Sequence, residues 1–356
     1  MSAPVSRTIR ATSPTDLLAM VPYLLGFHPD RSVVMLTLGR ARTPVHARQD
    51  LPDGLDDPEE LSALVAELVG VARRSGVSRV AVVAYSDDPA VADPVSRALV
   101  EALVAAGIDV AVALRADGRR WHCLPDEAGR CDCPRPCPPG GTPYDLTRHP
   151  LTLEAVVEGR VVHPSRDALR ESLLAYDLLE VQRVAAAVEM AGDRLVAACE
   201  SPFDRTAPLD PARGRAYLVA EGRWVQHRVR RFIADGLRLD DHDVGRLLVA
   251  VAAIEVRDVA WAEISHDDAP RHVDLWRDVV RRAPWETRAA PACLLAFAAW
   301  LSGDGALASC ALDLCQDAEP GYSMAGVLTQ ALAAGLPPDS WRPMPRDALT
   351  LFRDGA

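Results

Sequence analysis

The chain has 356 residues and a formal charge of −11, with 39 basic and 50 acidic side chains. Every basic residue is an arginine, because the sequence contains no lysine, and asparagine is missing as well. These absences exclude a P-loop lysine, a Schiff-base lysine, an N-glycosylation site and a Cys-His-Asn triad. The acidic balance argues against non-specific binding to nucleic acid, which depends on the neutralisation of phosphates by positive charge.

Neither a signal peptide nor a membrane span is expected from the sequence. Residues 1–16 contain no apolar stretch of signal-peptide type, and the longest apolar run, 292–301, is too short to cross a bilayer. We therefore expect a cytoplasmic protein that does not associate with membranes. In a reducing compartment, the eight cysteines indicate burial, metal binding or redox chemistry rather than a disulfide framework.

The first part of the chain alternates between strand and helix patterns. We predict strands over 33–38, 45–51, 79–85, 108–114 and 119–124, and helices over 17–25, 57–74 and 90–106. Strands that alternate with helices favour a parallel sheet covered on both faces. The predicted fold of residues 1–150 is therefore an α/β sandwich with a mostly parallel sheet, which ends in a Cys/Pro-rich loop at 119–143.

The second part of the chain, residues 151–356, is predicted to be an all-helical domain, either a bundle or a solenoid. Helical patterns cover 166–176, 178–200, 211–235, 241–264, 270–282, 287–301, 305–317 and 322–334. Residues 289–322 resemble one tetratricopeptide unit, because Ala296 and Ala308 stand where two helices must approach closely and Pro320 stands where the second helix ends. An ordinary helical hairpin is the alternative.

The cysteine-rich loop has the strongest chemical signal in the sequence. Cys123, Cys131, Cys133 and Cys137 lie within fifteen residues, and His122 is an alternative ligand beside them. A proline-rich loop cannot build its own core, and four thiolates around a structural zinc ion would supply folding energy to it. The spacing differs from a pair of CxxC motifs, so unligated thiols and a disulfide or redox role remain open. The other four cysteines lie in apolar helical patterns and are expected to pack in the core.

Two motifs permit both a structural and a functional interpretation. The turn 26–30 is typical of a helix C-cap, in which Gly26 ends the helix, but it could also be a binding loop with His28 as an acid or ligand. The segment 240–243, Asp-Asp-His-Asp, is typical of a helix start and could alternatively hold a hard metal ion.

A basic stripe is predicted on one helix of the second part. It consists of Arg223, His227, Arg230 and Arg231, which recur at helical spacing. Such a stripe is usually a solvated face that pairs with neighbouring acidic helices. It could instead bind phosphate or an acidic partner.

Several segments occur in an order that is specific to one family. They are residues 13–34, which include SPTDLL and PYLLGFHP, then CPPGGTP at 137–143, SRDAL at 165–169, WLSGDGA at 300–306 and GLPP at 335–338. In this order they resemble the actinobacterial domain-of-unknown-function family 4192. The absence of Lys and Asn, whose codons are AT-rich, agrees with a GC-rich actinobacterial genome. The family usually has two adjacent cysteines before the prolines, whereas CDCPRPC stands here, so the resemblance implies a fold but neither an activity nor metal ligands.

Three functional hypotheses follow from these observations. The first is a non-catalytic interaction or regulatory protein whose helical half presents a surface to protein partners. The second is an enzyme of unknown reaction whose site lies at the carboxyl ends of the strands, near residues 85–88 and the turn 26–30. A deep pocket with convergent polar groups would favour it. The third is a nucleic-acid-linked protein that uses a zinc-knuckle-like cysteine loop and the arginine stripe.

Overall fold

A computed structural model describes residues 11–38, 45–124, 137–157, 161–200, 210–345 and 349–352. The chain divides into two compact units. Unit 1 comprises Met1–Arg166 together with Ala333–Pro337, and unit 2 comprises Asp167–Leu332 together with Pro338–Ala356. No helix of the described residues is long and apolar enough to cross a membrane.

Unit 1 contains one six-stranded β-sheet and four α-helices among its described residues. Its elements are α1 Pro14–Leu25, β1 Ser32–Thr37, β2 His46–Asp50, α2 Pro58–Arg74, β3 Arg79–Tyr85, α3 Pro89–Ala105, β4 Asp109–Ala116, β5 Arg120–Cys123, β6 Thr142–Pro143 and α4 Pro150–Val157. The predicted elements of the first 125 residues are thus present. Strand β6 lies where the sequence predicted a loop, and helix α4 lies almost wholly in the part of the chain predicted to be helical, although no helical pattern was predicted over it.

Helix α1 shows how local sequence sets these boundaries. Ser13 caps the helix through a capping box, in which its hydroxyl accepts a hydrogen bond from the Asp16 backbone N–H and the Asp16 carboxylate accepts one from the Ser13 N–H. The helix ends at Gly26, whose φ of 74° is the left-handed conformation that favours glycine. The predicted C-cap at Gly26 is confirmed.

The sheet is mixed, so the prediction of a mostly parallel sheet is wrong. The strand order is β2-β1-β3-β4-β5-β6, and among the described strands only β3 and β4 are parallel neighbours. The connections explain this result. A parallel pair needs a long crossover connection, and α3 provides one between β3 and β4. Residues 38–45 between β1 and β2, and the turn 117–119 between β4 and β5, are too short for a crossover. The strands that they join are therefore antiparallel.

Strands β1 and β3 are buried on both faces of the sheet. On one face, Val80, Val82 and Ala84 of β3 pack against buried residues of α2 and α3. Because side chains alternate along a strand, Val83 and Tyr85 point to the opposite face. The sequence signal for this double burial is the continuous apolar run of β3, in which every residue from Val80 to Tyr85 is buried.

Unit 2 is helical throughout its described residues. Its helices are α5 Arg166–Glu171, α6 Leu178–Cys199, α7 Pro211–Asp235, α8 Asp241–Ala252, α9 Ile254–Ala262, α10 Ala269–Arg282, α11 Ala289–Leu301, α12 Gly305–Ala318 and α13 Ser323–Ala333. All 13 residues of α11 are buried, and α11 packs against α10 and α12. Ala296 and Ala308 are both buried in this region. The tetratricopeptide-like interpretation of α11 and α12 stays a prediction.

Candidate functional site

The edge of the sheet where β3 and β4 end is the candidate site of unit 1. Because these strands are parallel, their carboxyl ends meet at one edge, and the register pairs Tyr85 with Ala116 there. Strand β1 runs antiparallel to β3, with Ser32 opposite Tyr85. The turn 26–31, which precedes β1, therefore reaches the same edge.

A cleft of about 720 Å³ opens at this edge. Four segments line it together with Leu18 and Pro22 of α1, namely 28–31, 85–87, 116–119 and 144–147. Such an edge of an α/β sheet is the usual place for a ligand pocket. The sequence predicted this location from residues 85–88 and 26–30, and the structure brings those two segments together.

The Tyr85 hydroxyl is the most unusual polar group of the cleft. Tyr85 is 8% exposed, and its hydroxyl is shielded from solvent and has no hydrogen-bond partner among the residues that the structure describes. Burial, with a contribution from the nearby Tyr144, raises the pKa of Tyr85 well above its usual value of 10. The phenol therefore keeps its proton at every physiological pH.

Tyr144 and Asp117 both line the cleft. Burial, and then the Asp117 carboxylate, raise the pKa of Tyr144, and the backbone of Gly118 partly offsets this rise. Burial alone would raise the pKa of Asp117 as well. The backbone N–H groups of Arg120 and Arg119, which donate to this carboxylate at 2.6 and 2.8 Å, outweigh that effect and lower the pKa of Asp117.

His122 helps to hold the turn that carries Asp117. Its Nε2 lies 3.5 Å from an Asp117 carboxylate oxygen. Its ring also lies against Gly141, where an added Cβ would stand 2.6 Å from the imidazole Cε1. Since Gly141 has a φ of 73°, glycine is suited to this position both by backbone conformation and by space.

His28 enters the cleft from the turn after α1. Its backbone N–H donates to the His163 carbonyl at 2.9 Å, and the His163 N–H donates to the Gly26 carbonyl at 2.8 Å. Phe27 is buried and anchors the turn. Desolvation lowers the pKa of His28 from its usual 6.5, which favours the neutral form of the imidazole. The turn therefore serves as a helix cap and also as a wall of the cleft.

The cleft is acidic. Four aspartates and two arginines line it, namely Asp30, Asp87, Asp117, Asp145, Arg31 and Arg119. Arg31 is already paired with Asp53 at 2.8 Å. At the N-terminus of α3, the Asp88 carboxylate accepts the Ala90 N–H at 2.8 Å and places a further negative charge there. This arrangement does not suit a phosphate group, which would need free donors and positive charge.

The contribution of residues 144–147 was not predicted from the sequence. A strand over 119–124 was predicted with a loop after it, whereas Thr142 and Pro143 pair with Trp121 and Arg120 and so extend the sheet. The Arg120 guanidinium fixes this strand by donating to the carbonyls of Gly140 and Gly141 at 3.1 and 2.9 Å. Neither the two-residue strand nor this long-range hydrogen bonding leaves a periodic signal in the sequence.

The predicted zinc site lies partly outside the described residues. Cys131 and Cys133 belong to the part of the chain that the structure does not describe, while Cys123 and Cys137 are half-buried. His122, the alternative ligand, is next to Asp117. Zinc binding by this loop stays a prediction, and metal analysis of the purified protein tests it, with one equivalent of zinc expected.

The helical cysteines divide into two groups. Cys293, Cys310 and Cys315 are buried, so core packing is confirmed for them, whereas Cys199 is half-buried. The thiol pKa of Cys293 is raised by a hydrogen bond with Cys315 and by burial. The buried Cys293 thiol therefore remains protonated and unreactive.

The acidic segment 240–243 acts as a helix cap. The Asp240 carboxylate accepts the Asp243 backbone N–H at 2.7 Å at the start of α8, which confirms the structural interpretation. Ligand atoms of Asp240, His242 and Asp243 lie within 4.8 Å of one another. Asp243 forms an ion pair with Arg228 at 2.9 Å, which offsets the negative charge that a metal ion would need.

The basic stripe on α7 is partly neutralised within unit 2. Arg230 binds both carboxylate oxygens of Glu263, at 2.6 and 2.7 Å, and Arg231 pairs with Asp235 at 3.5 Å. Arg223 and His227 are exposed and line a shallow depression together with these residues. Pairing with acidic neighbours agrees with a solvated helix face for Arg230 and Arg231.

The fold and the cleft define a two-unit protein, in which a mixed α/β sheet with a strand-end pocket is followed by a helical unit. The chain belongs to the family described as Domain of unknown function (DUF4192), whose model matches residues 14–339. The resemblance seen in the sequence is therefore confirmed over most of the chain. Comparisons with the curated proteins and with the solved structures give no match.

Proposed function

We propose that this chain is a small-molecule-binding protein and that the strand-end cleft of unit 1 is its ligand site. The observation that carries the proposal is the convergence of four polar segments around about 720 Å³ at the carboxyl ends of β3 and β4. This volume matches the range of pockets that hold metabolite-sized ligands. Leu18 and Pro22 supply apolar surface beside the polar groups.

The polar groups of the cleft are better suited to ligand binding than to catalysis. The Ser86 hydroxyl accepts the Asp88 backbone N–H at 3.0 Å, so it serves the turn rather than a nucleophilic role. Tyr85 and Tyr144 are held protonated, and protonated phenols are suited to hydrogen bonding. A neutral His28 could assist a reaction as a general base, which keeps the enzyme hypothesis as the alternative.

A fragment screen by ligand-observed NMR tests the proposal. Asp87 is exposed and lines the cleft, so Asp87→Trp should fill the cleft without disturbing the core. Glu67→Trp, on the exposed face of α2, is the matched control. We expect fragments that compete with one another for one site, that lose binding in D87W and that keep it in E67W. No binding, or binding that D87W leaves unchanged, would overturn the proposal.

A second candidate function, a protein-partner surface on unit 2, is favoured by exposed apolar side chains at the start of α6. Leu178 and Leu179 are 72% and 65% exposed, and neighbouring Tyr176 is 75% exposed. Adjacent apolar side chains of this size are typical of interaction sites. The test is affinity purification with the double variant L178E/L179E and with Leu237→Glu, which changes an isolated exposed leucine. A partner should be lost with the double variant alone, and a partner retained by it would contradict this role.

A further inference from the structure

The buried hydroxyl of Tyr85 requires a partner that the described residues do not supply. A buried hydroxyl without a hydrogen bond destabilises a protein, and native structures contain few such groups. Tyr85 lies at the carboxyl end of β3 and lines the cleft. A ligand atom is therefore the natural partner of this hydroxyl.

The Tyr85 hydroxyl determines which atom fits. Burial keeps this phenol protonated, so it has an O–H group to donate. A carbonyl oxygen accepts such a hydrogen bond and brings no negative charge into the cleft. Tyr144 lines the same cleft.

The charged side chains that line the cleft determine the charge that the ligand can carry. We call its four aspartates, Asp30, Asp87, Asp117 and Asp145, the aspartate rim. Four aspartates against two arginines leave an excess of two negative charges around the cleft. Desolvation lowers the pKa of His28, which disfavours its positively charged form. The net negative charge of the cleft repels anions and favours uncharged or cationic molecules.

We propose that the ligand is an uncharged or cationic amide or related carbonyl compound, whose oxygen accepts a hydrogen bond from the Tyr85 hydroxyl and whose positive end lies at the aspartate rim. The inference rests on the proposed function, since it names the class of ligand for the same cleft. It excludes nucleotides and other phosphate esters as ligands of this site.

The test uses NMR of the full chain labelled with 13C at its tyrosine rings. Three probes are titrated: glycinamide, which is cationic and has an amide carbonyl, acetamide, which is neutral, and acetate, which is an anion. We expect glycinamide to bind most tightly, acetamide less tightly and acetate least, with the Tyr85 signal shifting on binding. Acetate binding as tightly as glycinamide would overturn the inference.

Two variants locate the contacts. Tyr85→Phe should weaken both amides by about threefold to tenfold, and Tyr217→Phe, which removes a tyrosine hydroxyl from unit 2, should change nothing. Asp87→Asn should weaken glycinamide but leave acetamide unchanged. Amide binding that Y85F leaves intact would contradict the assigned contact, and thermal unfolding confirms that Y85F is folded.

The failure of this inference is distinguishable from the failure of the proposed function. If the D87W experiment shows that fragments bind the cleft, but acidic fragments bind best or binding is insensitive to Y85F, the cleft is a ligand site of different chemistry. In that case the proposed function stands and this inference fails. A cleft that binds neither the fragments nor the amides would overturn both proposals.

Discussion

Gly245 of α8 lies against Ala187 of α6 so closely that a Cβ added at Gly245 would stand 2.5 Å from the Ala187 Cβ. The added atom would also meet the backbone at Ala187 and Val188, at 2.7 and 2.8 Å. Since backbone atoms cannot rotate away as a flexible side chain can, the two helices would have to separate. The packing of α6 on α8 thus depends on the absence of a side chain at this position.

We expect Gly245→Ala to destabilise unit 2 by about 1–3 kcal/mol, because overpacking outweighs the better helix propensity of alanine. Gly192→Ala is the control, since Gly192 lies in α6 and a Cβ there would meet nothing within 4 Å. That variant should be as stable as the natural chain or up to about 1 kcal/mol more stable. Urea unfolding followed by tryptophan fluorescence measures both. Equal stability of the two variants would show that the helices do not approach so closely.

Removal of the Tyr322 hydroxyl should lower the stability of the protein, whereas removal of the Tyr85 hydroxyl should not. The Tyr322 hydroxyl accepts a hydrogen bond from the buried guanidinium of Arg257 at 3.1 Å, so Tyr322→Phe should cost about 1–3 kcal/mol. The Tyr85 hydroxyl has no partner among the described residues, so Tyr85→Phe should leave stability unchanged or raise it. Thermal unfolding in the absence of ligand checks both. A large loss in Y85F would mean that its hydroxyl is bonded within the protein.

Arg282 joins several parts of unit 2 although it is only 2% exposed. Its Nη1 donates to the Leu239 carbonyl at 2.8 Å and to Asp278 at 2.9 Å, and its Nη2 donates to Asp241 at 2.5 Å. Arg282→Met would leave these acceptors without the guanidinium, and we expect a loss of about 3–5 kcal/mol.

Arg231→Met is the matched control for Arg282. Its ion pair with Asp235 is about half exposed on both sides and spans 3.5 Å. Such surface pairs contribute at most about 1 kcal/mol. Urea unfolding of the two variants compares them directly, and similar losses would contradict the central role of Arg282 in unit 2.

The stability of unit 1 should depend on the protonation of His46. Burial lowers the pKa of His46 from 6.5 to about 4, and its Nδ1 has no hydrogen-bond partner among the described residues. Between pH 6.5 and pH 4 the unfolded chain therefore takes up a proton that the folded chain does not. This contribution to stability is present above pH 6.5 and is lost as the pH falls towards 4, with an upper limit of about 3 kcal/mol.

Unfolding by urea at several pH values, followed by circular dichroism, measures this effect. His46→Gln should show a weaker loss of stability between pH 6.5 and pH 4 than the natural chain. His266→Gln, which changes an exposed histidine, should show the same loss as the natural chain. Parallel pH curves for the natural chain and H46Q would contradict the assignment.

The elements that local signals determine were predictable from the sequence. Asp57, Asp88 and Asp210 each cap a helix with proline as its first residue, and the predicted helices 57–74, 90–106 and 211–235 begin within one residue of these starts. The long helix pattern at 241–264 was predicted as one helix. The structure divides it at Ala253, where an extended backbone separates α8 from α9. Alanine gives no sequence signal for such a break.

Strand direction and the complete cleft were not predictable in the same way. The apolar run at 33–38 indicates a buried strand, but periodicity does not state which strand lies beside β1 or in which direction. The sequence predicted the cleft only at segments next to the end of a strand or a helix. These are residues 85–88 at the end of β3 and the turn 26–30 after α1. Tyr144 reaches it through pairing of β6 with β5, which is a long-range contact.

A crystal structure of the full chain soaked with glycinamide tests the central claim most directly. We expect glycinamide in the strand-end cleft, with its carbonyl oxygen within about 3.2 Å of the Tyr85 hydroxyl and its ammonium group at the aspartate rim. Glycinamide bound only outside the cleft, or bound within it with its ammonium towards Tyr85, would contradict the proposed ligand class.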